Sequence, residues 1–166
     1  RRAPALGLFR SIAFALLVVA LPLTLVVTNI RFSASEVRVY DYSVREYNAA
    51  ATARIPQDEL LRANRELVTY FKADDPAPLR IVVTNIDGEQ EQLFNARETA
   101  HLGDVRDLFQ ALFTLQTLSL ALTLGLAVVL LASSPVRLLA RALATGAAFT
   151  LALVGATAVL AYTGFD

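Results

Sequence analysis

Glu98, His101 and Asp104 stand three residues apart, and His101 is the single histidine in the chain. On a helix that spacing makes the three side chains neighbours on one face. A carboxylate beside an imidazole fixes its tautomer and raises its basicity, which suits a general base, a general acid or a proton shuttle. Spacing alone equally describes a solvated ion-pair cluster, and that plainer reading is the commoner one. Other chemistries find little support. One histidine and no cysteine cannot build a typical zinc site. Ser33, Ser35 and Ser43 lack the glycine-flanked elbow of a serine hydrolase. Without cysteine there is neither a disulfide nor a thiol nucleophile, and the reading calls for no metal and no cofactor.

The elements around this cluster explain why its position matters. Asn95, with Glu98 three residues on, predicts a capping box that opens a helix, and that helix continues through Arg106 into an apolar stretch beginning at Leu108. His101 precedes Leu108 by seven residues, about 10 Å along a helix. That is headgroup depth, where lipid ester carbonyls lie.

Mean hydropathy is +0.51 over 166 residues, and the apolar residues come in blocks. Ile12 to Ile30, Leu108 to Val136 and Ala142 to Phe165 carry no charge. Each block meets the roughly 20 residues that a helix needs to cross about 30 Å of hydrocarbon. The expected fold is therefore an α-helical integral membrane protein with three transmembrane helices. The first helix follows Arg1, Arg2 and Arg10 but is longer than a signal-peptide core, so it reads as an anchor. The expected segments are residues 1–30 for the amino terminus and first span, 31–107 for an outer domain, 108–132 for the second span, 133–141 for a turn and 142–163 for the third span.

Cytoplasmic loops retain Arg and Lys. Arg1, Arg2 and Arg10 precede the first span, and Arg137 and Arg141 lie by the turn, with no acid beside either group. Residues 31–107 hold the other basic residues and every acid except Asp166. The expected localisation is a bacterial cytoplasmic membrane, crossed several times, with a cytoplasmic amino terminus and an extracytoplasmic 31–107 domain. Lys72 is the single lysine among 15 basic residues, a bias that fits a GC-rich bacterial gene. The formal net charge is zero, so no basic stripe is available to displace phosphate counterions and no nucleic-acid partner is expected.

The outer domain reads as small α+β, two helices and a β-hairpin. Ser35 is a plausible cap for a helix with Val37, Tyr40, Val44 and Tyr47 on one face. A second helix starts near Pro56, where Asp58 and Glu59 suit the positive end of its dipole. Leu60, Leu61, Leu67, Val68 and Phe71 supply its buried side, and the prolines of Asp74 to Pro78 end it. Leu79 to Ile86 and Glu89 to Phe94 predict two strands joined by Asp87-Gly88, a two-residue hairpin signal. Tyr40, Tyr42 and Tyr47 read as packing or interfacial anchoring rather than catalysis.

In the spans, small and weakly polar residues mark helix contacts. Ala140, Ala144, Ala148, Ala152 and Ala156 recur every four residues on the third helix and predict close packing against another helix, its own or a partner subunit's. Gln110, Thr114, Thr117, Ala121 and Gly125 line one face of the second helix and suit interhelical hydrogen bonds. At 100° per residue His101 points opposite Gln110, so either Gly103 bends the helix or its two faces serve different purposes.

Phe94-Asn95-Ala96-Arg97-Glu98-Thr99-Ala100-His101-Leu102-Gly103-Asp104-Val105 resembles a signature of the bacterial lipoprotein intramolecular transacylase (Lit) family and its membrane relatives. The resemblance covers most of the chain, with the tyrosine-rich Tyr40 to Tyr47, the helix start Pro56 to Leu60 and the hairpin Leu79 to Phe94. It implies a membrane acyltransferase that moves an acyl chain from the diacylglyceryl group of a lipoprotein to the amine of its terminal cysteine. His101 would then serve as general base or acid, Glu98 or Asp104 would orient it, and membrane lipid or lipoprotein would be the partner. The family pattern continues past the Phe165-Asp166 match into a second histidine and a fourth span, which this sequence does not carry. The alternative from another class is a non-catalytic accessory subunit of a larger membrane complex.

Overall fold

The computed structural model describes residues 3–164; Arg1, Arg2, Phe165 and Asp166 lie outside the described residues. The chain is mostly helical. Helix α1 spans Ala3–Ser35, α2 Val37–Glu46, α3 Ala49–Ala53 and α4 Gln57–Lys72. Strands β1 (Val82–Thr84) and β2 (Gln90–Gln92) follow, then α5 (Ala96–Ser133) and α6 (Val136–Thr163). Three helices are long and apolar enough to cross a membrane, Leu6–Ser35 within α1, then α5 and α6. The chain divides into two compact units, one of residues up to Thr28 with those from Leu115 onward, the other Asn29–Thr114.

In the first unit Ala13, Leu17, Leu130 and Ala142 form the buried centre. Pro22 lies inside α1 and has no N–H to give the carbonyl of Val18. Gly146 of α6 packs there. A Cβ at Gly146 would lie 2.9 Å from Leu21 Cδ2 and 3.4 Å from the Val18 carbonyl oxygen. The face of α6 that packs is thus Ala142 and Gly146, both buried, followed by half-buried Thr150. Ala140, Ala144, Ala148, Ala152 and Ala156 lie on a different face of α6 and are all exposed within this chain. Two residues of offset turn a helix by 200°, so both four-residue repeats exist and only the one containing glycine admits α1.

Polar contacts in this unit also use a different face from the expected one. Gln116 donates from Nε2 to Thr28 Oγ1 (3.3 Å), and the hydroxyls of Thr24 and Thr123 share a buried 2.8 Å hydrogen bond. Gln116, Ser119 and Thr123 are the buried polar residues of α5. Their three- and four-residue spacing makes a stripe of its own, distinct from Gln110, Thr114, Thr117, Ala121 and Gly125. Helix α6 begins directly after Pro135, so Arg137 and Arg141 sit on its first turns.

The second unit closes around Val44, Ile55, Leu60, Ala63, Leu79, Ile81 and Val83. Leu79, Ile81 and Val83 alternate with exposed Arg80 and Val82, the period of an extended chain with one face on a core. The regular ladder is shorter than the sequence suggests, pairing Val82 with Gln92, Val83 with Glu91 and Thr84 with Gln90. The connection is a three-residue turn instead of the expected two-residue one. Gly88 N–H donates to the Asn85 carbonyl (3.0 Å) and Asn85 N–H to the Glu89 carbonyl (2.9 Å). Gly88 takes φ +83°, a type I turn followed by a glycine bulge. Asn85 decides this outcome, because its Oδ1 accepts the N–H groups of Asp87 and Glu89, each at 3.0 Å.

Two further corrections concern helix starts. Glu36, not Ser35, caps α2, its side chain accepting Arg38 N–H at 3.3 Å. A third short helix, α3, stands between the two expected ones, bounded by Asn48 and Arg54 in left-handed conformations (φ 50° and 57°). Val37, Tyr40 and Val44 turn inward as expected, whereas Tyr47, the last residue of that face, is exposed.

Candidate functional site

The start of α5 is held by the capping box that Asn95 and Glu98 predict. Glu98 N–H donates to Asn95 Oδ1 (3.0 Å), and Asn95 N–H donates to Glu98 Oε2 (2.9 Å). The pair satisfies two backbone donors that an open helix end would leave to water.

From this start α5 presents two sides. The inward side carries Leu102, which packs on the core of the second unit, and Gly103, where a Cβ would lie 3.6 Å from the Tyr70 hydroxyl. It continues with Arg106, largely buried at 13% side-chain exposure. Arg106 donates from Nε (3.2 Å) and Nη2 (2.8 Å) to the Ala73 carbonyl, from Nη2 to the Asp74 carbonyl, and from Nη1 to Asp107 Oδ1 (2.8 Å). Its guanidinium lies 5.9 Å from the centre of the Tyr70 ring. Gln110 Nε2 donates to the carbonyls of Phe71 (2.7 Å) and Ala73 (3.3 Å). A helix C-terminus leaves carbonyls without intrahelical partners, and those of α4 are met by side chains one turn apart on α5. Phe71 meets Phe109 edge-on at 5.2 Å, Phe109 stacks on Phe113 at 6.3 Å, and Arg31 covers Phe113 at 5.0 Å.

The outward side carries Glu98, His101 and Asp104, all exposed. Gly103 does not interrupt the helix, so the two faces serve different purposes, Gln110 anchoring α4 and His101 facing away from it. The three site residues share one exposed strip, with no hydrogen bond joining His101 to either carboxylate among the described residues. One oxygen of Glu98 serves the helix cap. Asp104 forms no ion pair among the described residues. An accessible imidazole with a carboxylate one turn to either side can take a proton from a nucleophile and return it to a leaving group.

Two of the other motifs have structural work. Glu59, in Pro56 to Leu60, accepts the Thr84 backbone N–H (3.0 Å) and the Arg62 guanidinium (2.8 Å), tying α4 to β1. The hydrogen bond from Arg62 is the main cause that lowers the Glu59 carboxyl below its ordinary range, and the Thr84 N–H lowers it further. Arg62 also reaches the Val82 carbonyl at 2.6 Å. Tyr40 donates its hydroxyl to the Ala34 carbonyl (3.0 Å), and burial pushes its phenol up. Tyr42 and Tyr47 meet edge-on at 6.3 Å and are exposed.

The profile of the lipoprotein intramolecular transacylase Lit matches residues 15–166, which include all of α5 and α6 and the part of α1 from Ala15 onward. The chain belongs to the Lit family. Its fold is also similar to the solved structure of the membrane-integral lipoprotein intramolecular transacylase Lit from Bacillus cereus. The TM-score is 0.70 at 14% identity, over 96% of this chain and 70% of that one. At that identity the likeness shows a shared fold. No curated protein matches the chain. Family membership makes this a membrane protein of a lipoprotein transacylase family, and the stretch Phe94–Val105 falls at the start of α5.

Proposed function

We propose that the protein transfers an acyl chain within a lipoprotein, from the diacylglyceryl group to the amine of the terminal cysteine, leaving a lyso-form product. The observation that carries this reading is the match of residues 15–166 to the Lit family. The amine attacks the ester carbonyl, a bond forms from nitrogen to carbon, and the alkoxide leaves with a proton. His101 takes the proton from the attacking amine and gives it to the departing oxygen, so the balance needs no cofactor. Asp104, or the second oxygen of Glu98, orients the imidazole. Residues 31–107 face outward and the amino terminus is cytoplasmic, which puts His101 at headgroup depth where the ester lies.

His101→Ala should reduce lyso-form product by about 10²–10⁴-fold, the range for loss of general acid–base catalysis, while the protein stays in the membrane. Mass spectrometry of lipoprotein N-terminal peptides reads the product; an unchanged yield would reject His101 as the base. Orientation is tested separately with single cysteines and an impermeant thiol reagent on intact cells. Thr84→Cys and Asp87→Cys should label and Ser133→Cys should not, and the reverse pattern would put His101 on the wrong side for this chemistry.

An accessory-subunit role is the second reading, and one observation favours it. Residues 151–163 of α6 are exposed throughout, a surface that a partner helix would cover. Co-purification of one stoichiometric membrane partner in mild detergent, with no lyso-form product, would select it.

A further inference from the structure

In the Asn29–Thr114 unit, on a face that the proposed chemistry does not use, a cleft of about 530 Å³ is lined by Ser35, Val37, Arg65, Val68, Thr69, Lys72 and Ala73. Ser35 is the last residue of the first apolar helix, and Val37 opens α2. The remaining lining residues come from α4 and its end. Arg65, Thr69 and Lys72 recur at four and three residues, so their side chains lie along one edge of α4.

The charges around the cleft are unevenly spent. Glu36 is engaged by Arg38 at 3.0 Å, and Glu66 and Glu59 by Arg62. Asp41 accepts a hydrogen bond from Asn64 at 3.0 Å. Lys72 contributes only the smallest of the effects that hold the Glu36 carboxyl low. Arg65 and Lys72 form no ion pair among the described residues, although Glu36, Asp41, Glu46, Asp58, Glu59 and Glu66 stand on or beside the same two helices. The Thr69 hydroxyl donates to the Arg65 carbonyl (2.8 Å), so its proton is already engaged and the cations carry the cleft's attraction. Ser35 donates to no group among the described residues, and the positive end of the α2 dipole is already met by the Glu36 carboxylate.

We infer that this cleft binds a phosphate group through Arg65, Lys72 and Ser35, and that the phosphate is the headgroup diester of an anionic phospholipid. A guanidinium presents a planar fork to two phosphate oxygens and an ammonium adds a compact charge. The lipid is preferred over a free anion because the cleft opens where an apolar helix ends, and paired cations at such a boundary recognise lipid headgroups. The lipoprotein diacylglyceryl group carries no phosphate, so this site is separate from the proposed acyl-transfer site and does not depend on it.

The test uses the full chain in a maltoside detergent, which has no phosphate, and counts bound lipid by native mass spectrometry. The probes are dioleoylphosphatidylglycerol, dioleoylglycerol with the same chains and no phosphate, and inorganic phosphate. Phosphatidylglycerol should be retained over dioleoylglycerol. Arg65→Gln/Lys72→Gln should lower its retention by about tenfold or more, the scale expected for losing two cations at a membrane surface. Arg65→Lys/Lys72→Arg should restore it, and Arg45→Gln/Arg80→Gln, which removes two exposed cations elsewhere, should leave it unchanged. Circular dichroism of each variant confirms helix content. Inorganic phosphate bound with the same dependence, without lipid retention, would keep the phosphate site and overturn the lipid source. Equal retention by a folded Arg65→Gln/Lys72→Gln protein, or equal loss in Arg45→Gln/Arg80→Gln, would overturn the site altogether.

Discussion

The two units satisfy their polar groups by opposite means. In Asn29–Thr114, long charged side chains reach backbone across the fold: Arg106 to the carbonyls of Ala73 and Asp74, Arg62 to that of Val82, Glu59 to the N–H of Thr84. In the unit of apolar helices the work is done by short groups, the Thr24–Thr123 hydroxyl pair and the Gln116–Thr28 bond, and by a missing side chain at Gly146. The difference follows from the surroundings each unit's sequence implies. Where water is close, a charged head can be half-solvated and still cap a helix; in hydrocarbon a charge is expensive and small residues bring backbones together.

The largest loss is expected at Arg106. Arg106→Met keeps much of the stem's volume but leaves the Ala73 carbonyl with one donor, Gln110, and the Asp74 carbonyl with none of the side-chain donors described above. Hydrogen bonds to charged groups contribute about 1.5–3 kcal/mol, so the Asn29–Thr114 unit should lose about 2–3 kcal/mol. In the other unit Thr123→Val should cost about 0.6 kcal/mol, the usual size of a polar pair between membrane helices. Thermal unfolding in detergent, followed by fluorophores placed in each unit, measures both. Equal losses would show that the two units do not differ as described.

The close approach at Gly146 gives the next effect. Gly146→Val puts a Cβ into Leu21 and Val18, and overpacking of this kind costs about 1–3 kcal/mol. Gly155→Val, on the same helix with nothing within 4 Å of a Cβ, should be tolerated. If both variants melt like the parent, α6 does not rest on α1 through Gly146.

What could be seen in the sequence divides along the same line. Length and lack of charge revealed the three apolar helices, because hydrocarbon thickness sets both. They did not reveal which face of α6 packs, since the alanine repeat and the Ala142–Gly146 repeat have one period and differ only in phase. In the other unit, local chemistry was legible: the Asn95–Glu98 box, the start after Pro56, the break after Lys72. Pairings distant in sequence were not. Asn85 changes the turn length through bonds that Asp87-Gly88 alone does not announce, and Glu59 reaches Thr84 across 25 residues. At the candidate site, sequence placed Glu98, His101 and Asp104 on one helical strip. It could not show that the inward face would be taken by Arg106 and Gln110.

The smallest expected effect is the one with a pH signature. Glu59 is held below the ordinary carboxyl value of 4.5, chiefly by Arg62 and then by Thr84 N–H. A depressed folded value means that the ionised group favours the folded state. Its contribution is fully present above the unfolded value and is lost as pH falls through the folded one. Glu59→Gln keeps the shape and removes the charge, so the variant should melt below the parent at pH 7. The gap should begin to narrow as pH falls below about 4.5 and close as pH passes the lower folded value, where the parent's own Glu59 becomes neutral. Glu36 is also depressed, chiefly by its hydrogen bond from Arg38; it is present in both proteins, so the difference between their melting curves isolates Glu59. A gap that stays constant from pH 7 to pH 3 would mean that shape, not charge, ties α4 to β1, and the contrast between charged and uncharged fastening would lose its clearest case.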